Sequence, residues 1–164
     1  DVVALRYFNP VGSHSAYEIF EDPYNGSENL MPKLIQAAID STKALKVFGN
    51  DYETDDGTGE RDYIHIEDLV DGHLSAIEYL KQFKGYDAIN LGTGKSYSVL
   101  ELISAFEKIN DIKINYEICD RRKGDVARCF SDVSKSKKTL NWEAKKNLND
   151  MCKDAWEPVK KKWK

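Results

Sequence analysis

Gly57-Thr-Gly-Glu-Arg-Asp-Tyr-Ile-His-Ile-Glu-Asp-Leu69 decides the reading of this chain. Two glycines open it, and glycine lets the backbone take a positive φ or come close to a ligand. Arg61 follows with a planar fork of donors that suits a pair of phosphate oxygens. Beyond it, Ile66, Leu69, Val70, His73, Ile77 and Leu80 recur at helical spacing, which predicts a helix to about residue 83 with that face buried and Gly85 as its stop. An acidic loop, an arginine and a buried helix, in that order, suggest a clamp on a phosphorylated ligand. Surface pairing of Arg61 with Glu60 or Asp62 is the alternative, and the local stretch leaves both open.

The 164 residues suffice for one core, with 41% hydrophobic and 32% charged residues, ordinary for a soluble globular protein. Eighteen consecutive apolar residues occur nowhere, so no membrane span is expected. Asp1–Phe8 lacks the basic start and long apolar run of a signal peptide, and without an initiator Met the chain is expected to begin inside something longer or to have been processed. Cys119, Cys129 and Cys152 are odd in number and form no C-x-x-C pair. Free thiols, a reducing compartment such as the cytoplasm and no zinc site are expected. The net charge of −4 divides into −12 over residues 1–120 and +8 over 121–164. The lysines of the basic part are spread over helix-like segments and end in Lys160-Lys-Lys-Trp-Lys164, so a solvated, frayed tail is expected and nucleic acid is not.

Strand and helix patterns alternate, which makes the class α/β. Val2–Phe8 is continuously apolar, as in a strand buried on both faces of a parallel sheet, and Asn9-Pro-Val-Gly12 ends it. Residues 13–28 read as a long loop. Asn29 is a plausible N-cap for a helix to Ile39, with Pro32 in its first turn. Leu45–Phe48 is a short strand, residues 49–60 an acidic loop, and Ala88–Leu91 a buried strand. Ser98 and Glu101 form a capping box for the next helix. Ile112, Ile114, Tyr116 and Ile118 alternate as a strand buried on one face. A strand at 127–130, a short helix at 134–140 and a helix from Asn147 complete the chain, with Pro158 expected to kink or shorten the last helix.

Gly92-Thr-Gly-Lys-Ser96 looks like a phosphate-binding loop, but the glycine needed five residues before Gly94 is Ile89. A tight turn is the reading preferred. Asp51–Gly57 resembles a calcium loop with its glycine one place late and no glutamate at the twelfth position, so no metal is expected. His73 reads as a packed core histidine, and His65 is near enough in sequence to help place Arg61. Arg121-Arg-Lys-Gly-Asp125 is a second basic cluster whose cations repel unless an anion lies between them. Paired with Arg61, it suggests a two-arginine grip on a diphosphate, with Asp125 to accept from a ribose hydroxyl; an exposed turn is the alternative.

Leu5-Arg-Tyr-Phe-Asn-Pro-Val-Gly, Glu21-Asp-Pro, Asn29-Leu-Met-Pro, Val47-Phe-Gly-Asn-Asp-Tyr, Asp56-Gly-Thr-Gly-x-Arg-Asp-Tyr-Ile-His, Asn90-Leu-Gly-Thr-Gly and Arg121-Arg-x-Gly-Asp occur here in one order. In that order and spacing they closely resemble the C-terminal half of the UDP-glucose 4-epimerase family, among the extended short-chain dehydrogenases. The resemblance implies a Rossmann-like fold whose N-terminal NAD-binding core is missing, so that residues 1–164 are the UDP-sugar-binding part plus a few elements of the Rossmann sheet. It implies NAD as cofactor, a UDP-sugar as substrate, and epimerisation through a 4-keto sugar in the complete enzyme. The family is a homodimer, mainly through helices outside this stretch.

Residue by residue, the resemblance places Phe8 beside the nicotinamide, and Asn9 and Asn29 on the diphosphate and sugar side. Leu30, Val47 and Phe48 fall in the uracil pocket, Arg61 and Arg122 on the diphosphate, Asp125 on a ribose, and Cys129 where room near the sugar is limited. The family's Tyr-x-x-x-Lys is absent, because none of the nine tyrosines has a lysine four residues on. The G-x-G turns at Gly57 and Gly92 lack the third glycine of a dinucleotide fingerprint. No catalytic residue is therefore expected in this chain, nor activity from it alone. Glu28 and Glu60 depart from the family pattern and are expected to weaken anion binding.

Overall fold

A computed structural model describes residues 1–162; Trp163 and Lys164 of the expected tail lie outside the described residues. β1 (Val2–Tyr7) pairs in parallel with β6 (Tyr86–Leu91), Val2 opposite Tyr86 and Tyr7 opposite Leu91. β2 (Asn9–Val11) continues the chain and pairs in parallel with β5 (Tyr63–His65). β3 (Leu45–Phe48) pairs in parallel with β8 (Tyr116–Cys119). Centrally, β4 (Glu60–Arg61) lies between β7 (Tyr97–Ser98), antiparallel, and β9 (Arg128–Cys129), parallel.

Five helices pack on these pairs: α1 (Leu30–Ile39), α2 (Ile66–Leu80), α3 (Val99–Asn110), α4 (Ser134–Leu140) and α5 (Leu148–Lys162). The larger core joins α1, β3, α3 and α5 through Leu34, Val47, Leu102, Phe106, Met151 and Val159. The smaller joins β5, α2 and β6 through Ile64, Leu69, Ile89 and Leu91, with Trp142. α3 carries the expected capping box, Ser98 accepting from the Glu101 amide and Glu101 from the Ser98 amide.

Several expectations are corrected. Arg61 does not open a helix: it lies in β4, and β5 intervenes before α2 begins at Ile66. The buried stripe of α2 is Asp68, Leu69, Gly72 and Ala76, while Val70, Leu74 and Ile77 are exposed. The cause is close approach to β6: a Cβ at Gly72 would stand 2.8 Å from Leu91 Cδ1, so the small residues must face the sheet. His73 accordingly is exposed, its Nδ1 2.8 Å from the Leu69 carbonyl oxygen and its ring tilted against Tyr7. β1 is half-buried rather than buried on both faces, having β6 as a neighbour on one side. Of the alternating isoleucines, Ile114 is buried but Tyr116 and Ile118 are exposed, because β8 pairs along one edge with the short β3. Asn9–Val11 is a strand rather than a stop. Pro158 neither ends α5 nor shortens it. The Asp154 carbonyl that proline leaves without a helical donor instead accepts from Ser13 Oγ at 2.5 Å.

Candidate functional site

β4 runs on one side of a cleft of about 250 Å³. Strand alternation sets what faces it: Gly59, Arg61 and Tyr63 line the cleft, while Glu60 and Asp62 point away. Of the ten residues singled out above, Asn9, Asn29, Leu30, Val47, Phe48, Arg61, Arg122 and Asp125 line this one cleft. Phe8 and Cys129 do not. Phe8 sits at the joint of β1 and β2, its amide donating to the Leu91 carbonyl, and Cys129 is exposed on β9 in register with Arg61.

Among the described residues, four cations, Lys33, Lys46, Arg61 and Arg122, and two carboxylates, Glu28 and Asp125, line the cleft. Arg61 Nη1 donates to the carbonyls of Glu60 and Val126, 2.8 Å each, and Nη2 lies 3.5 Å from Asp125 Oδ1. The surface pairing with Glu60 or Asp62 carboxylates is not made. Arg122 stacks on the Phe48 ring, its guanidinium carbon 3.9 Å from the ring centre. The N-terminus of α1 opens onto the cleft at Asn29, Leu30 and Met31, adding the positive end of a helix dipole. Asn29 occupies the N-cap position but its side chain makes no capping bond. Lys33 and Lys46 also line the cleft, with Lys33 3.0 Å from Glu28.

Glu60 points away from this cleft. Its carboxylate accepts from Arg128 Nε at 2.7 Å, Arg128 Nη2 at 2.9 Å and Ser96 Oγ at 2.6 Å. The Arg128 guanidinium holds that carboxyl below the usual range. Asp62 is buried on the same far face and accepts from the Thr93 and Gly94 amides at 3.0 Å each, from Thr93 Oγ1 at 2.6 Å, and from the amide and hydroxyl of Ser131. The Gly92–Ser96 turn therefore spends its amides on a carboxylate of the chain itself. With these amides taken by Asp62, the Gly92 turn does not fit a dinucleotide pyrophosphate. His65 serves α2 rather than Arg61: Nδ1 accepts from the Glu67 amide, and Nε2 lies 3.2 Å from Asp154.

Sequence reasoning missed Tyr63, Val99, Lys33, Lys46 and Tyr52 among the lining residues. Tyr63 stands two residues beyond Arg61, at the start of β5, a placing the helical reading of this stretch hid. Val99 was not readable, because its place depends on the pairing of β4 with the distant β7. A second, mostly apolar cavity of about 600 Å³ lies between Pro10–His14, residues 19–21 and the start of α2.

The profile of the NAD dependent epimerase/dehydratase family matches residues 1–92, and the chain belongs to that family. Among its relatives, the UDP-glucose 4-epimerase of Bacillus subtilis is 52% identical over 155 residues, 94% of this chain and 46% of that protein. The human UDP-glucose 4-epimerase is 49% identical over 156 residues, 95% of this chain and 45% of its own. The crystal structure of the Stenotrophomonas maltophila enzyme with bound NAD and formylated UDP-arabinopyranose superposes with a TM-score of 0.93 at 43% identity, covering 98% of this chain and 48% of that one. The chain spans about half the length of the curated relatives it matches.

Proposed function

We propose that this chain is the UDP-sugar-binding half of an NAD-dependent UDP-glucose 4-epimerase, which interconverts UDP-glucose and UDP-galactose through a 4-keto intermediate. The observation that carries the reading is the cleft itself: Arg61 and Arg122 converge there with an aromatic platform at Phe48 and the N-terminus of α1. That set is chemically matched to a nucleoside diphosphate, the base against Phe48, the phosphates against the guanidinium groups and the helix N-terminus, and a ribose hydroxyl donating to Asp125. The relatives are UDP-glucose 4-epimerases, and the Bifidobacterium longum structure, with a TM-score of 0.91 at 45% identity, holds NAD+ and UDP.

In this reading the chain's own work is anchoring. The nucleotide is fixed while the sugar turns, so the sugar can present either face to the hydride carrier. Asn9 and Asn29 offer amide contacts toward the sugar end of the cleft, and Phe8 and Cys129 lie beyond it. Proton transfer at the 4-hydroxyl and the NAD site belong to the other half of the enzyme. Titration calorimetry of the chain with UDP tests the anchor: binding in the micromolar range supports it, and no heat of binding at millimolar UDP refutes it.

A further inference from the structure

Arg121 does not line the cleft, and its guanidinium is engaged by Asp51 and Tyr52 of the loop after β3. Its Nε donates to Asp51 Oδ1 at 2.6 Å, Nη2 donates to the Asp51 carbonyl, and the guanidinium carbon lies 4.1 Å from the centre of the Tyr52 ring. Gly49 makes room for this: a Cβ there would stand 2.5 Å from the Tyr52 ring and 2.9 Å from Arg121 Cγ. We infer that Arg121 is a positioning residue, the anchor that fixes the loop 120–127 over the cleft and so places Arg122 and Asp125. The inference rests on the nucleoside-diphosphate reading of that cleft.

The loop has little else to hold it. Residues 120–126 are exposed, Gly124 has φ +92° with nothing within 4 Å of a Cβ, and inside the loop the Asp125 amide reaches back to the Arg122 carbonyl at 3.3 Å. Among the described residues its outward contacts are Arg121 on Asp51 and Tyr52, Arg122 on Phe48, Asp125 with the Val126 carbonyl on Arg61, and, at its far end, the Ala127 carbonyl accepting from the Glu60 amide at 2.8 Å. A diphosphate drawing on Arg61 and Arg122 competes with the contacts those two arginines make, since both must turn to it. Over residues 120–126, ahead of the backbone bond at Ala127, the Arg121 contact is the one such a ligand leaves in place. It is therefore what keeps the loop docked while its neighbours exchange partners, and the adjacent arginines divide the labour: Arg121 holds the protein and Arg122 the ligand.

The test is Arg121→Met, which keeps the stem and removes the guanidinium, beside Asp51→Asn, Arg122→Met and the double variant of both arginines. Three readouts apply: UDP affinity by calorimetry, trypsin cleavage after Arg122 and Lys123, and thermal stability. Arg121→Met is expected to weaken UDP about tenfold and Asp51→Asn to do so in the same direction, with a clearly smaller further loss when Arg121→Met is added to Arg122→Met, where only the placing of Asp125 is left to lose. Loop cleavage in Arg121→Met and Asp51→Asn should rise about tenfold. The melting temperature should move by under about 2 °C, because an ion pair this exposed contributes little to global stability. Additive losses in the double variant would mean that Arg121 meets the phosphates itself, and would overturn the inference. So would unchanged loop cleavage in both single variants. If the parent chain binds no UDP, the proposed function fails and cleavage alone decides the anchor. If Arg121→Met does not fold, Asp51→Asn decides it.

Discussion

Arg61 and Asp125 face each other at 3.5 Å across the mouth of the cleft, on segments more than sixty residues apart in sequence. The pair is partly exposed, so its own contribution to stability is small. Under the proposed function, a diphosphate would take the place of Asp125 on this guanidinium. In this chain Arg61→Ala and Arg122→Ala are each expected to weaken UDP binding by about 2–4 kcal/mol, as for loss of a charge-assisted partner. Calorimetry giving unchanged affinity for both would refute the clamp.

The chain by itself is expected to turn over no UDP-galactose and to bind no NAD tightly. No tyrosine has a lysine four residues on, and the amides of the Gly92 turn are taken by Asp62. A coupled assay for UDP-glucose with the pure chain checks this, and sustained turnover would contradict it.

Two buried polar groups should respond oppositely to removal. Asp62 accepts from three residues, so Asp62→Asn, which turns one acceptor oxygen into a donor group facing donors, should cost about 3 kcal/mol of stability. The Tyr52 hydroxyl is buried without a partner among the described residues, so Tyr52→Phe should be neutral or stabilising by up to about 1 kcal/mol. Urea unfolding of the two variants measures both. If UDP affinity falls in Tyr52→Phe, the hydroxyl has a role in the bound state that the unliganded cleft does not show.

Acid should destabilise the protein in two steps. Burial, with Lys146 beside it, depresses the His65 pKa, so the unfolded chain takes up that proton more readily. This contribution is complete above about pH 6.5, the ordinary histidine value, and is lost as pH falls through the lower folded value. Glu67, hydrogen-bonded by Lys146, is held at about 2; its contribution is present above the ordinary carboxylate range and is lost between there and pH 2. Melting temperatures across pH 2–8 should show both declines, and His65→Asn, which keeps an acceptor for the Glu67 amide, should remove the upper one.

Cys129 stands in register with Arg61 and is exposed. In the complete enzyme its small side chain should leave room for an N-acetyl group at the sugar's 2-position. Cys129→Tyr is then expected to suppress turnover of UDP-N-acetylgalactosamine while sparing UDP-galactose, a steric discrimination. Equal loss of both activities would indicate damaged packing, and no change in either would place the residue away from the sugar.

What the sequence determined alone are the features whose causes lie within a few residues. The capping box of α3, the strand Leu45–Phe48 and the start of α1 after Asn29 follow from local spacing and end chemistry. The order of motifs also named eight residues that line the cleft. The tertiary structure decided whatever depended on a partner far along the chain. Arg61 was read as the entry to a helix, because the strands that make β4 a strand, β7 and β9, lie more than thirty and sixty residues on. Only the fold pairs Glu60 with Arg128, and only the fold shows that the tight turn preferred for Gly92–Ser96 gives its amides to Asp62. Which face of α2 is buried turned on how closely Gly72 brings the helix to Leu91. Pairing, neutralisation and close packing are contacts in space, and hydrophobic periodicity along the chain carries no record of them.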